Sequence, residues 1–308
     1  MSTSNDENRH IPVLLDETID AFTSLSSSGG TIVDCTLGGG GHTHALLERF
    51  SNVRVLACDM DANAIDLARV RLASYLRDGR VAFHHGNFST LPELDESQLP
   101  QGFAPPWNGI LMDLGYSSNQ LESEDYGMSF SIDSEIDMRL SRPASGQTAW
   151  ELMQECSAQE LGDILKAYGE IIGAHRLARR IRDALDAGSI HNSTAKFAHF
   201  IESASGGRRS KDSIHPATLV FQALRIAVND ELRVLDHFLE GVILKTSKSG
   251  RIAIITFHSL EDRIVKYWGK KYAATVRAVT RKPIVASQEE IKANPRSRSA
   301  KLRIYERI

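Results

Sequence analysis

No apolar run approaches the roughly 18 residues that a membrane-spanning helix needs, so no such helix is expected in this chain. The opening residues, MSTSNDENRH, are polar and include acids, without the apolar core of a secretory signal. Cysteine is scarce. Cys35, Cys58 and Cys156 show neither CxxC nor CxxH spacing, which removes disulfide and zinc patterns and leaves small buried hydrophobes of a cytoplasmic protein. The 11 histidines are scattered, and His84 and His85, adjacent at a strand end, point to opposite sides, so no metal site is expected. No internal repeat is visible.

What remains is a chain of 308 residues, 42% hydrophobic, enough for a sizeable core in one large domain or two smaller ones. Its net charge of −3 hides an asymmetry. Arg263 to Ile308 hold 13 Lys and Arg against 3 Asp and Glu, leaving 23 basic against 36 acidic side chains elsewhere. A basic C-terminal segment on an acidic body points to a polyanion partner, because phosphate contacts draw on Lys and Arg.

Strand and helix signals alternate through the first 120 residues. Strand TIVDCTL (31–37) leads to a glycine run and a helix through Phe50, and VRVLACD (53–59) to a helix over 62–76. In that helix Ile65, Ala68, Leu72 and Leu76 make one apolar stripe. Strands VAFHHGN (81–87) and GILMDLG (109–115) follow. Such alternation predicts a parallel sheet covered on both faces. Residues 116–147, rich in Ser, Glu, Asp and Gly, read as a long loop, followed by helical segments and a polar link, GGRRSKDS. One long helix is predicted over 215–246, with Pro216 suited to its start. Strand RIAIITF (251–257), the helix SLEDRIVKYWGKKY and an edge strand AKLRIYERI close the chain. The simplest architecture is a doubly wound α/β domain interrupted by a helical insertion between its fourth and fifth strands.

The chemistry concentrates at strand ends. Gly38 to Gly41 bring backbone close to a nucleotide-like ligand where a Cβ would intrude. Asp59 ends the second strand, 21 residues after Gly38, where an acid accepts both ribose hydroxyls of an adenosine cofactor; Asp61 suffices to cap the next helix. Gly38-Gly39-Gly40-Gly41-His42-Thr43 puts threonine in the third-glycine slot that dinucleotide folds prefer. Asp34 precedes the loop, and carboxylates favour a cationic ligand end, so S-adenosylmethionine is preferred over NAD. Phe88, after the third strand, suits either an adenine face or the core. Asp113 stands at the carboxyl end of the fourth strand, where open α/β sheets react their ligands. It is the candidate catalytic residue, accepting from an amine N–H, or else a cofactor contact; position alone leaves both open.

Taken together, HIPVLLDETI (10–19), DCTLGGGGH (34–42), HGNFS (85–89), GILMDLGYSSNQL (109–121), DMRL (137–140), HPATLVFQALRIAVNDEL (215–232), ITFHSLEDRIVK (255–266) and NPRSRSAKLRIYER (294–307) resemble the ribosomal RNA small subunit methyltransferase H family, in its order and over nearly the whole chain. The resemblance implies a class I S-adenosylmethionine-dependent methyltransferase fold, a Rossmann-like doubly wound sheet with an inserted helical domain. Residues 1–120 and 215–308 would bind cofactor and 121–214 recognise substrate. It implies methylation of N4 of a cytidine in 16S rRNA, in the decoding region of the small ribosomal subunit, by a cytoplasmic enzyme without metal or membrane. Matched by motif, the cofactor residues would be Gly40, Gly41, His42, Asp59, Phe88, Asp113 and Gln120, and Arg208, Arg209 and Lys211 would join the basic C-terminal segment on rRNA phosphates. The chain departs from the family at Gly39, where arginine is usual, at Tyr116 and Asn119, after AYGE, and in lacking the arginine after HPAT.

Two other functions fit less of the sequence. A DNA amino-methyltransferase would share Asp113 and Tyr116 but not FHSLEDRIVK or HPAT. A non-catalytic ribosome assembly factor would keep the cofactor only as a fold ligand and leave its target cytidine unmodified.

Overall fold

The computed structural model describes residues 12–117, 120–121, 123–141, 146–207 and 215–308. Arg208, Arg209 and Lys211, expected to meet phosphates, lie outside these residues, as does Asn119.

Seven strands form one sheet: β1 (Gly30–Asp34), β2 (Val53–Asp59), β3 (Val81–His85), β4 (Trp107–Asp113), β5 (Thr246–Thr256), β6 (Val276–Ala278) and β7 (Lys301–Arg307). Their order is β3-β2-β1-β4-β5-β7-β6. The first five run parallel, and β7 returns antiparallel to β5. Period-two alternation sends Ile32, Val55, Leu111 and Ile255 to one face and Val33, Leu56, Ile110 and Ile254 to the other. Both sets are buried, which explains why these strands read as continuous apolar runs. Helices at Leu15–Asp20, Gly41–Arg49 and Ala62–Arg71 cover the first face; Glu231–Lys245 and Ser259–Lys271 cover the second.

The chain leaves β1 for β2 on one side and later places β4 on its other side. The carboxyl ends of β1 and β4 therefore flank the point where strand order reverses, with Asp34 in register with Leu111. Open α/β sheets bind ligands at such a point.

The structure corrects three expectations about elements. The segment 62–76 is two helices, Ala62–Arg71 and Ala73–Arg77, broken at Leu72, whose backbone leaves the helical region. The long helix is also two, Pro216–Asn229 and Glu231–Lys245, because Asp230 adopts φ +50°, a left-handed conformation that a short polar side chain tolerates. The terminal strand is not an edge: β7 pairs with β5 on one side and with β6 on the other. At 3 residues with 2 exposed, β6 leaves no hydrophobic signature to read.

Two compact units result, one of residues 1–115 with 232–308 and the other of 116–231. The helix Pro216–Asn229, expected with the sheet, belongs to the second unit. Among its described residues, helices at Ala149–Glu155, Ala158–Gly169, Ala174–Asp186, Thr194–Ala204 and Pro216–Asn229 pack around Met153, Leu165, Ile181, Phe197, Ile201 and Leu224. Its helix at Ala149–Glu155 starts with a Thr148/Glu151 capping box, and the one at Ala158–Gly169 with a Ser157/Glu160 box. The described part of 116–147 lacks strands but is pinned: Asn229 bonds Met138 O and Leu140 N, and Asp137 takes Arg139 through both oxygens. Among the described residues no helix is long and apolar enough to cross a membrane.

Candidate active site

The glycine run is a folded turn between β1 and the helix Gly41–Arg49, closed by Gly40 N–H donating to Leu37 O at 2.8 Å. Gly40 has φ +73°, and a Cβ there would press on Ala68 and Leu72 at 3.2 and 3.3 Å. On Gly41 a Cβ would overlap the Pro12 ring. Gly39 differs. It has no left-handed backbone, and a Cβ would meet only Arg71 Nη1, at 3.9 Å. That guanidinium donates to Gly39 O at 2.8 Å. Arg71, from the helix Ala62–Arg71, thus gives the loop a basic contact at the position where the family usually carries arginine.

Three carboxylates surround this turn. Asp59, at the end of β2, accepts Gly38 N–H on Oδ2 at 2.8 Å and Asp61 N–H on Oδ1 at 2.9 Å. It thereby fixes the loop to the second strand, while Asp61 caps its helix by accepting Asn63 N–H at 3.0 Å. Two of about four acceptor positions on Asp59 are thus used. Burial pushes its pKa up to about 6, against these N–H bonds. Asp34, at the end of β1, is buried and accepts Thr43 Oγ1 at 2.6 Å and Thr36 N–H at 3.2 Å. Burial lifts it too to about 6. Thr36 Oγ1 in turn accepts Asp113 N–H at 2.6 Å, tying the ends of β1 and β4 together.

Asp113 is the least satisfied of the three. Its Oδ1 is buried without a hydrogen-bond partner, and its Oδ2 lies 3.7 Å from His42 Nδ1. Burial, then the nearby Asp34 and Glu261 carboxylates, push it well above the usual carboxylate range. His42 is buried on the glycine-loop helix, with Nε2 3.1 Å from Val13 O. A carbonyl only accepts, so Nε2 carries the hydrogen and Nδ1 is the nitrogen turned to Asp113.

Glu261 enters through the FHSLE segment. His258 caps the helix Ser259–Lys271, and Glu261 reaches back to accept His258 N–H at 3.3 Å, closing a capping box, and Phe257 N–H at 2.8 Å. This places a buried acid within electrostatic reach of Asp113. Glu261 is a site residue missed at the level of sequence, where its one signal is the cap-to-third-residue spacing from His258.

Phe88 opens a short 3-10 turn after β3, capped by Asn87, and meets Phe238 edge-on at 5.2 Å while remaining partly exposed. Gly40, Gly41, His42, Asp59, Phe88 and Asp113 all belong to the first unit, at or just beyond the carboxyl ends of its strands. Gln120 belongs to the second, where its amide is engaged: Oε1 accepts Ser117 N–H at 2.8 Å and Nε2 donates to Leu140 O at 3.0 Å.

These residues fit a sulfonium nucleoside. Small backbone at Gly40 and Gly41 admits close approach, Asp59 retains acceptor capacity, and the unpartnered Asp113 oxygen offers negative charge without a protein cation bonded to it. The basic C-terminal segment is less free than its composition suggests. Arg303 and Lys301 hold Asp262 at 2.7 and 3.4 Å, Arg277 holds Glu306 at 2.8 Å, and Arg307 donates to Thr246 O.

The model of the MraW methylase family matches residues 7–308. Ribosomal RNA small subunit methyltransferase H of Synechococcus sp. (strain CC9605) is 41% identical over 302 residues, covering 97% of each chain. The protein of the same name from Cyanothece sp. (strain PCC 7425 / ATCC 29141) is 43% identical over 302 residues, covering 97% of this chain and 95% of that one. With a doubly wound sheet, a glycine turn and buried acids at its switch point, and these matches along its length, the chain is an S-adenosylmethionine-dependent methyltransferase and belongs to the MraW methylase family.

Proposed function

We propose that this enzyme methylates the N4 amino group of a cytidine in 16S rRNA, in the decoding region of the small ribosomal subunit, and works in the cytoplasm. The relatives named as small-subunit rRNA methyltransferases support the substrate. The observation that carries the chemistry is Asp113 at the end of β4, whose Oδ1 is buried without a hydrogen-bond partner. When bound, S-adenosylmethionine supplies an electrophilic methyl group on a positively charged sulfur.

Gly40 and Gly41 would give the donor a backbone cradle, Asp59 would accept from its ribose, and Phe88 would support its base. His42 and Asp113 would hold its charged end. The cytosine amine is a neutral nucleophile whose lone pair is delocalised into the ring. Acceptors on its N–H groups, the Asp113 carboxylate with the Leu114 or Gly115 carbonyl, would free that pair and aim it. Holding the two reactants in line supplies most of the acceleration. No cysteine nucleophile is required, and Cys35 and Cys58, buried with their thiols pushed up by desolvation, are unsuited to be one. The target base must leave its stack to present the amine.

Mass mapping of small-subunit rRNA from a deletion strain tests this reading. N4-methylation should vanish from one cytidine and return on complementation. An unchanged modification pattern would sink it.

A further inference from the structure

Among the acids around the glycine turn, His42 is a basic group that the geometry turns toward Asp113. From β1 comes Asp34; from the helix Ser259–Lys271 comes Glu261; from the glycine-loop helix comes His42, with Nδ1 3.7 Å from Asp113 Oδ2. His42 Nε2 lies 3.1 Å from Val13 O, which makes Nδ1 the ring nitrogen turned to the carboxylate. The second oxygen of Asp113 is buried and bonded to nothing.

We propose that Asp113 and His42 form a charge sensor that selects the sulfonium donor over its thioether product, holding a proton when no cation is present and releasing it when the cation binds. This rests on the reading of the site as the donor's. An isolated buried carboxylate is costly to ionise, and a cation nearby removes that cost. A thioether has the same size and polar ends but no charge on sulfur, so it removes none of it. Asp113, held above the usual range by burial and by two neighbouring acids, is the group this difference acts on. The sign follows from linkage. Below its free-state pKa the pair is protonated, so donor affinity rises with pH, by up to about tenfold per unit, and levels off above it. Thioether affinity has no such slope from this pair.

Calorimetric titration of the full chain with S-adenosylmethionine and with S-adenosylhomocysteine, between pH 6 and 8.5 in buffers of different ionisation enthalpy, tests the proposal. Ionisations common to both ligands, such as their amino groups, cancel in the comparison. The donor should release up to about one more proton than the product, and its advantage over the product should grow with pH. Asp113→Asn, which keeps the shape, should abolish the difference in proton release and cost the donor about tenfold or more while leaving the product within about threefold. Equal proton release and equal pH slopes for the two ligands in the wild-type protein would overturn the sensor, whatever the variant does. Failure of both ligands to bind would instead overturn the assignment of the donor site.

Discussion

The sheet unit holds two groups of partly or fully buried carboxylates and treats them in opposite ways. On the antiparallel side, Asp262 takes Arg303 and Lys301, and Glu306 takes Arg251 and Arg277. Burial pushes Asp262 up, but the Arg303 and Lys301 cations overcome it and hold the acid below its ordinary range. Around the glycine turn, Asp34, Asp59 and Asp113 face hydroxyls, backbone N–H groups and one histidine, and all three are pushed up. Where an acid only joins strands or helices, the chain provides its cation. Where it provides none, a ligand is the natural source.

The comparison is most sharply broken by removing a cation from the paired group. Arg303→Ala leaves Asp262 half-neutralised and should cost about 3 kcal/mol in urea unfolding, with donor affinity unchanged. If affinity fell and stability did not, the two groups would not be distinct.

Next in size is the glycine turn. Gly41→Ala should destabilise by about 2 kcal/mol through overlap with Pro12 and lose most donor binding. Gly39→Ala, with space around it, should stay within about 0.5 kcal/mol of the parent. Thermal melts with and without donor read both.

The pH dependence comes third. With Asp34 and Asp59 raised to about 6, their contribution to stability is full below about pH 4 and is lost as pH rises through 6. The donor-free protein should therefore gain about 2–3 kcal/mol between pH 7 and 5, and saturating donor should flatten that gain. A stability that falls over this interval without donor would contradict the raised values.

The smallest effect belongs to the second unit. Tyr116, a departure from the family pattern, lies 4.8 Å from the Arg225 guanidinium, which pairs with Glu231 at 2.8 Å. Tyr116→Ala should cost about 0.5–1 kcal/mol, measured by denaturant midpoint.

Legibility in the sequence followed how local each cause was. The parallel strands were readable because burial on both faces leaves apolar runs, and Asp61 as a cap because its partner is two residues away. The loop and Asp113 were readable as a pattern of glycines and acids at strand ends. The breaks at Leu72 and Asp230 were not, since no proline or glycine marks them. The basic C-terminal segment misled by composition: its charges looked free until β7 brought Arg303 to Asp262, 41 residues away. Glu261 and Asp34 gain their effect on Asp113 only when three distant segments meet, which no spacing records.

The central claim is that the Asp113 site lacks its cation until the donor arrives. A carbon-13 titration of the Asp113 carboxyl, assigned through Asp113→Asn, measures this directly. The account predicts a midpoint well above the ordinary carboxylate range in the donor-free protein, falling when S-adenosylmethionine binds and not when S-adenosylhomocysteine does. A donor-free midpoint near 4, or an equal fall with both ligands, would contradict it.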